Sequence, residues 1–124
     1  MKKLILLLLL PISIYSEDIV SNVLFDQTSV KLEKAIYEMN KRQKATAYNI
    51  ANATTPDFKP VRFPDEVEEA KRMYGSSKML ESVNIDDEMV KSTKIRLLHS
   101  AYVRLLTTKI GITKKVVTLG KGGW

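Results

Sequence analysis

The stretch that decides the fold is NIANATTPDFKP, residues 49–60. Asn49 to Ala53 continues a helical face of small residues, and then Thr54, Thr55 and Pro56 forbid another turn. A residue before proline is biased away from helical geometry by a clash with the proline ring. A helix arriving from upstream must therefore end by about Thr54, where the chain turns outward. Pro56 followed by Asp57 suits a type I turn, which predicts negative φ at both residues.

Upstream of this stop, Leu32, Ile36, Met39, Gln43, Thr46, Ile50 and Ala53 recur at alternating spacings of four and three, the signature of one helical face. The spacing predicts a helix from about Thr28 to Ala53. Asp26, Thr28 or Ser29 can cap it, since each offers a side-chain oxygen to a free backbone N–H. The second half of the face is small or polar, so it permits close approach but buries little area.

Downstream, the periodicity fades between Thr54 and Val83, where Pro56, Pro60, Pro64, Gly75 and a serine pair punctuate the chain. This part reads as an extended connector, with a short helix from Asp65 to Tyr74 as an option. A second long helix starts at Asn84, a good cap, and Asp86, Asp87 and Glu88 place negative charge at the positive end of its dipole. It is expected to run to Leu119 and stop at Gly120. One row carries Ile95, Leu98, Tyr102, Leu105, Ile112, Val116 and Leu119, interrupted by Lys109. A second row carries Val103, Leu106, Ile110 and Val117. The first row is expected to pack on the first helix and the second to meet neighbouring molecules. Arg104, Thr107, Thr108, Gly111, Lys114, Lys115 and Thr118 gather on the opposite side.

The expected fold is therefore all-α, with two long helices in a coiled-coil-like hairpin joined by an extended connector containing proline and glycine. The expected divisions are a signal peptide over residues 1–16, an N-terminal segment and first helix over 17–53, and the connector over 54–83. The second helix covers 84–119 and a flexible tail 120–124. The signal rests on Lys2 and Lys3 before the apolar run LILLLLLPISI and on Ser16 as a small residue for cleavage, which puts the mature start near Glu17. That run is broken by Pro11 and is shorter than the ~20 residues a membrane span needs.

The 124 residues carry 20 Lys and Arg against 14 Asp and Glu, a net charge of +6, or +4 once Lys2 and Lys3 are removed. Such a mild surplus, spread along the chain without a basic aromatic stripe, argues against nucleic-acid binding. The absence of cysteine excludes disulfides, thiolate metal sites and a lipid-modified cysteine. His99 is the sole histidine, and a lone helical histidine is far more often a packed or solvated side chain than a ligand. The acidic triplet Asp86 to Glu88 lacks the glycine and ligand spacing of a calcium loop. No catalytic constellation, cofactor site, metal site or small-molecule substrate site is expected. Asn52, Ala53 and Thr54 form a glycosylation sequon that matters only in a host with that machinery. The apolar rows of the second helix could also lie on a membrane surface, although protein packing explains them more simply.

The opening stretch resembles the N-terminal signature of flagellar rod, hook and hook-associated proteins: Asn-Ile-Ala-Asn, two variable residues, Thr-Pro-Gly, an aromatic residue and Lys. Asn49, Ile50, Ala51, Asn52, Thr55, Pro56, Phe58 and Lys59 match it, while Asp57 stands where the glycine is usual. The second half, VNIDDEMVKSTKIRLLHSAYVRLLTTKIGITKKVV, is similar to the C-terminal region of proximal rod proteins. The resemblance implies a structural subunit of the bacterial flagellar basal body, in the periplasm. Such a subunit would assemble helically with copies of itself and with other rod proteins, and the expected interface is Leu32, Ile36, Met39 and Ile50 with Ile95, Leu98, Tyr102, Leu105, Leu106, Ile110, Ile112, Val116 and Val117 of the second helix. Rod proteins usually leave through the flagellar type III apparatus, whereas the N-terminal run implies general secretion. A periplasmic helical binding module or chaperone for an envelope protein is the alternative.

Overall fold

In the computed structural model, residues 21–22 and 26–122 are described. The signal segment expected over residues 1–16 lies outside them, as do the last two residues of the expected tail. Among the described residues the chain is helical and has no strand. We number the helices α1 (Gln27–Ala51), α2 (Pro64–Tyr74) and α3 (Ile85–Gly122), with a single 3-10 turn at Lys78–Leu80. The two long helices, α1 and α3, pack together. Packing divides the described residues into two units, one of residues 26–35 with 102–122 and the other Ile36–Ala101.

The helix boundaries up to the start of α3 have visible causes. Asp26 caps α1, its carboxylate accepting from the Ser29 N–H at 2.9 Å. At the other end the Asn52 amide donates to the Tyr48 carbonyl at 2.9 Å, and tight bonds from Ala53 N–H to Ile50 O and from Thr55 N–H to Asn52 O wind the helix down. The Asn84 side chain accepts from the N–H groups of Asp86 and Asp87 at 3.0 and 3.3 Å, as a cap should. Pro64 occupies the first position of α2, where its missing N–H costs nothing, and the Glu66 carboxylate reaches back to the Phe63 N–H at 3.0 Å. Gly75 ends α2 at φ +70°, a conformation that glycine adopts without a Cβ clash.

Three expectations are corrected. The connector is not extended throughout: α2 and the 3-10 turn occupy much of it, and residues 58–63 are its longest stretch without regular or turn structure. The second helix does not stop at Gly120 but continues to Gly122, because glycine lowers helix propensity by only ~1 kcal/mol and Gly120 does not enter the left-handed region that ends a helix. Asp57 has φ +57°, not a negative value. It follows Pro56 in a turn closed by the Phe58 N–H on the Thr55 carbonyl at 3.3 Å, so it stands where a type II turn favours glycine. Asp57→Gly should therefore raise unfolding stability by about 0.5–1 kcal/mol, relief of the left-handed strain outweighing the added chain entropy. Urea unfolding followed by circular dichroism measures it, and an unchanged midpoint would contradict the strain.

Burial also redraws the face of α3. Nine sheltered positions, Glu88, Ser92, Ile95, His99, Tyr102, Leu106, Lys109, Thr113 and Val117, form a seam with nearly all spacings alternating between four and three, and Lys91 and Gly111 are sheltered beside it. This seam takes members from both expected rows and leaves Leu98, Leu105, Ile112, Val116 and Leu119 outside it. Leu106 and Val117 therefore belong to the inward side, while Val103 and Ile110 stay on the borderline of exposure. The displacement has a simple cause: five of the nine inward positions are polar or charged, so tracing apolar residues alone follows the wrong line. On α1 the expected face does turn inward, with Leu32, Ile36, Met39, Gln43 and Ile50 sheltered and Thr46 buried.

Candidate assembly site

Within the unit Ile36–Ala101, the deepest side chains are polar. Asn49 and Glu88 each keep only 1% of their surface exposed, whereas the buried apolar side chains are Ala70 and Ile95. Buried polar groups are tolerable only when hydrogen-bonded, so their partners define what the unit holds in place.

Asn49 reads the connector backbone from both sides. Its Oδ1 accepts from the Val61 N–H at 2.8 Å and its Nδ2 donates to the Val61 carbonyl at 3.0 Å. A carboxylate could not supply the second bond, and a shorter side chain could not reach. The same Nδ2 lies 3.4 Å from Glu88 Oε2. Glu88 in turn is paired with the Arg62 guanidinium, one residue beyond Val61, and lies 3.4 Å from the Lys91 ammonium. Arg62 spends its remaining donors on the Leu80 and Ser82 carbonyls, both at 3.0 Å. Lys91 bridges onward to Glu66 at 2.8 Å. One network thus ties α1, α2, α3 and both ends of the connector to a single buried carboxylate.

A second set of contacts fixes the start of α2. The Arg42 guanidinium stacks on the Phe63 ring, 4.5 Å from its centroid, and bonds Asp65 at 2.8 Å. The Arg42 hydrogen bond holds the Asp65 carboxyl below its usual pKa and, reciprocally, Asp65 raises that of Arg42.

The signature residues now have separable physical roles. Asn49 grips Val61, Asn52 closes the helix end, Thr55 opens the turn, and the Phe58 ring meets Tyr48 edge to face at 5.5 Å. Asp57 occupies the left-handed position for which the usual glycine is suited. Pro56, Lys59 and Ala51 are exposed and Ile50 is half-buried. Glu88 was legible only as a charge at a helix start; its sequence neighbours Asp86 and Asp87 are exposed and do serve that end. Nothing local distinguishes Glu88 from them, since its burial depends on Arg62 arriving from 26 residues away.

His99 lines a cleft of about 370 Å³ with Met39, Asn40, Gln43, Ile95, Arg96 and Ser100. Gln43 Nε2 donates to Ser92 Oγ at 2.9 Å, and its buried Oε1 has no partner among the described residues.

In the other unit, the Lys109 ammonium is paired with the Asp26 carboxylate, and Lys109 is thus an inward ion-pair partner rather than an interruption of an apolar row. The hydrogen bond from Lys109, with a further one from the Ser29 N–H, lowers the Asp26 pKa from 3.8 to about 2. A carboxyl depressed in the folded state contributes its stability fully above the ordinary value and loses it as pH falls through the folded one. The Asp26 latch should therefore hold above about pH 4 and open near pH 2. In an NMR titration the Asp26 carboxyl midpoint is expected near 2 in the parent and shifted toward 3.8 in Lys109→Ala. A parent midpoint already at 3.8 would remove the ion pair.

Leu105, Ile112, Val116 and Leu119 of α3 each leave more than half of their surface in water. Of the residues expected to form the assembly interface, Leu105, Ile112 and Val116 are the free ones, with Leu98 and Ile110 partly so. Ile95, Tyr102, Leu106 and Val117 are engaged inward. Among the described residues no helix is long and apolar enough to cross a membrane. Comparison with protein-family models, with curated proteins and with solved structures gives no match to this chain.

Proposed function

We propose that the chain is a structural subunit of the bacterial flagellar basal-body rod, acting in the periplasm without catalysis or cofactor. On this reading α1 and α3 form a coiled-coil-like hairpin. Copies of the chain and other rod proteins pack against it in a helical array that transmits torque. The observation that carries the reading is the contact between the two segments that resemble rod proteins: Asn49, from the first, meets Glu88, from the second, in the most buried place of its unit. A signature asparagine and an acidic helix start separated by 39 residues share one job, fixing the connector against both long helices. The open row Leu105, Ile112, Val116 and Leu119 supplies a surface for neighbours. Identical subunits joined through two different patches form an open helical array when the rotation does not close.

Leu105→Asp and Ile112→Asp should block incorporation, since each places a charge in an apolar contact, while Lys114→Ala should change little. Leu106→Asp is expected to unfold the inner seam and so cannot serve as the probe. Co-sedimentation with purified basal bodies, with circular dichroism to show that each variant remains helical, makes the comparison. A parent that fails to co-sediment, or that instead forms a small defined complex with one envelope protein, would favour the chaperone alternative and remove the rod reading.

A further inference from the structure

After Glu88 the sequence contains no acidic residue, yet it contains eight lysines and arginines. This one-signed segment is almost all of α3. At 100° per residue, Leu105, Ile112, Val116 and Leu119 fall within an arc of about 60°. Arg104 and Lys115 lie beyond one edge of that arc, and both are exposed. Lys109, at the other edge, is occupied by Asp26. An open apolar stripe thus has, along one side, positive charge that no acid among the described residues pairs.

We propose that the C-terminal half of α3 binds an anionic phospholipid surface, with the stripe entering the boundary between headgroups and acyl chains and Arg104 and Lys115 held at the phosphates. Helices that lie on anionic lipid combine an apolar face with cations of a single sign. Helix partners in a coiled coil instead carry both signs on their flanks, so that each charge meets its opposite. Two copies pressed stripe to stripe would set Arg104 and Lys115 against their own kind, with no acid on either helix segment to offset them. Fatty acyl chains and phosphates match both parts of the surface. This inference stands apart from the rod reading. Lipid and a neighbouring subunit would compete for the same stripe, so the lipid-bound state belongs to the unassembled chain.

The full chain is mixed with sedimentable vesicles of phosphatidylcholine alone or with about one third phosphatidylglycerol. The expected result is preference for the anionic vesicles, weakened by salt. Arg104→Gln with Lys115→Gln should weaken that binding about 25-fold, roughly fivefold for each cation. Leu105→Asp with Ile112→Asp should remove the contribution of the stripe, while Glu68→Gln with Glu69→Gln on α2 should leave binding unchanged. Circular dichroism checks that all variants keep the parent's helix content. If Leu105→Asp with Ile112→Asp unfolds, Leu105→Ser with Ile112→Ser replaces it. Equal binding to neutral vesicles, or anionic binding that survives both α3 pairs, would overturn the proposal. So would a chain that ignores vesicles and oligomerises through the stripe. Failure here leaves co-sedimentation with basal bodies untouched, so the two readings fall separately.

Discussion

Glu88→Ala is expected to destabilise the unit Ile36–Ala101 by about 3 kcal/mol. The Glu88 side chain is 2% exposed, so its removal leaves the Arg62 guanidinium, itself 11% exposed at the side chain, facing a buried site without its counter-charge. The Leu80 and Ser82 carbonyls still accept from Arg62, which keeps the loss at the lower end of the range for a broken buried pair. Glu88→Gln preserves shape and some hydrogen bonding and should cost less. Replacing both partners, Arg62→Met with Glu88→Leu, should recover much of the loss, because no buried charge then lacks a partner. Urea unfolding of the parent, Arg62→Met, Glu88→Leu and the double variant closes the cycle. Additive single and double effects would show that Arg62 and Glu88 do not act as a pair.

Asn49→Ala should cost about 2 kcal/mol by the same measurement. It strips two backbone bonds from Val61 and one amide from Glu88. Val61 is 43% exposed, so water can reach part of the vacated backbone, which sets this loss below that of Glu88. Asn49→Asp should be worse than alanine despite its closer shape, since it cannot donate to the Val61 carbonyl and sets a second carboxylate beside Glu88. The substitution should also detach the connector before the long helices unfold. Limited proteolysis would then cut near residues 58–63 in Asn49→Ala while the parent resists. Equal resistance would mean that the connector does not depend on Asn49.

Both effects come from polar side chains, and that bears on what the sequence could reveal. The helix stop at Pro56, the cap at Asn84 and the inward face of α1 were all legible because they are local: proline geometry, a capping oxygen and apolar periodicity act within a few residues. The optional helix at Asp65 to Tyr74 was visible for the same reason, with Pro64 before it and Gly75 after it. Asp57 was misjudged because aspartate suits either turn type, and the sign of φ depends on how the following chain must leave toward Val61. Gly120 reads as a stop because glycine is the commonest one, though a helix passes through glycine at modest cost.

By itself, then, the sequence determined two long helices, where they begin, and the outward turn between the first helix and the connector. Only the tertiary structure decided which face of α3 looks inward. That face is lined by Glu88, Ser92, His99, Lys109 and Thr113, and whether such side chains can be buried depends on partners far away in the chain, as with Arg62 for Glu88 and Asp26 for Lys109. Apolar residues announce burial through their own chemistry, whereas a charged residue becomes a buried one only when the fold delivers its counter-charge.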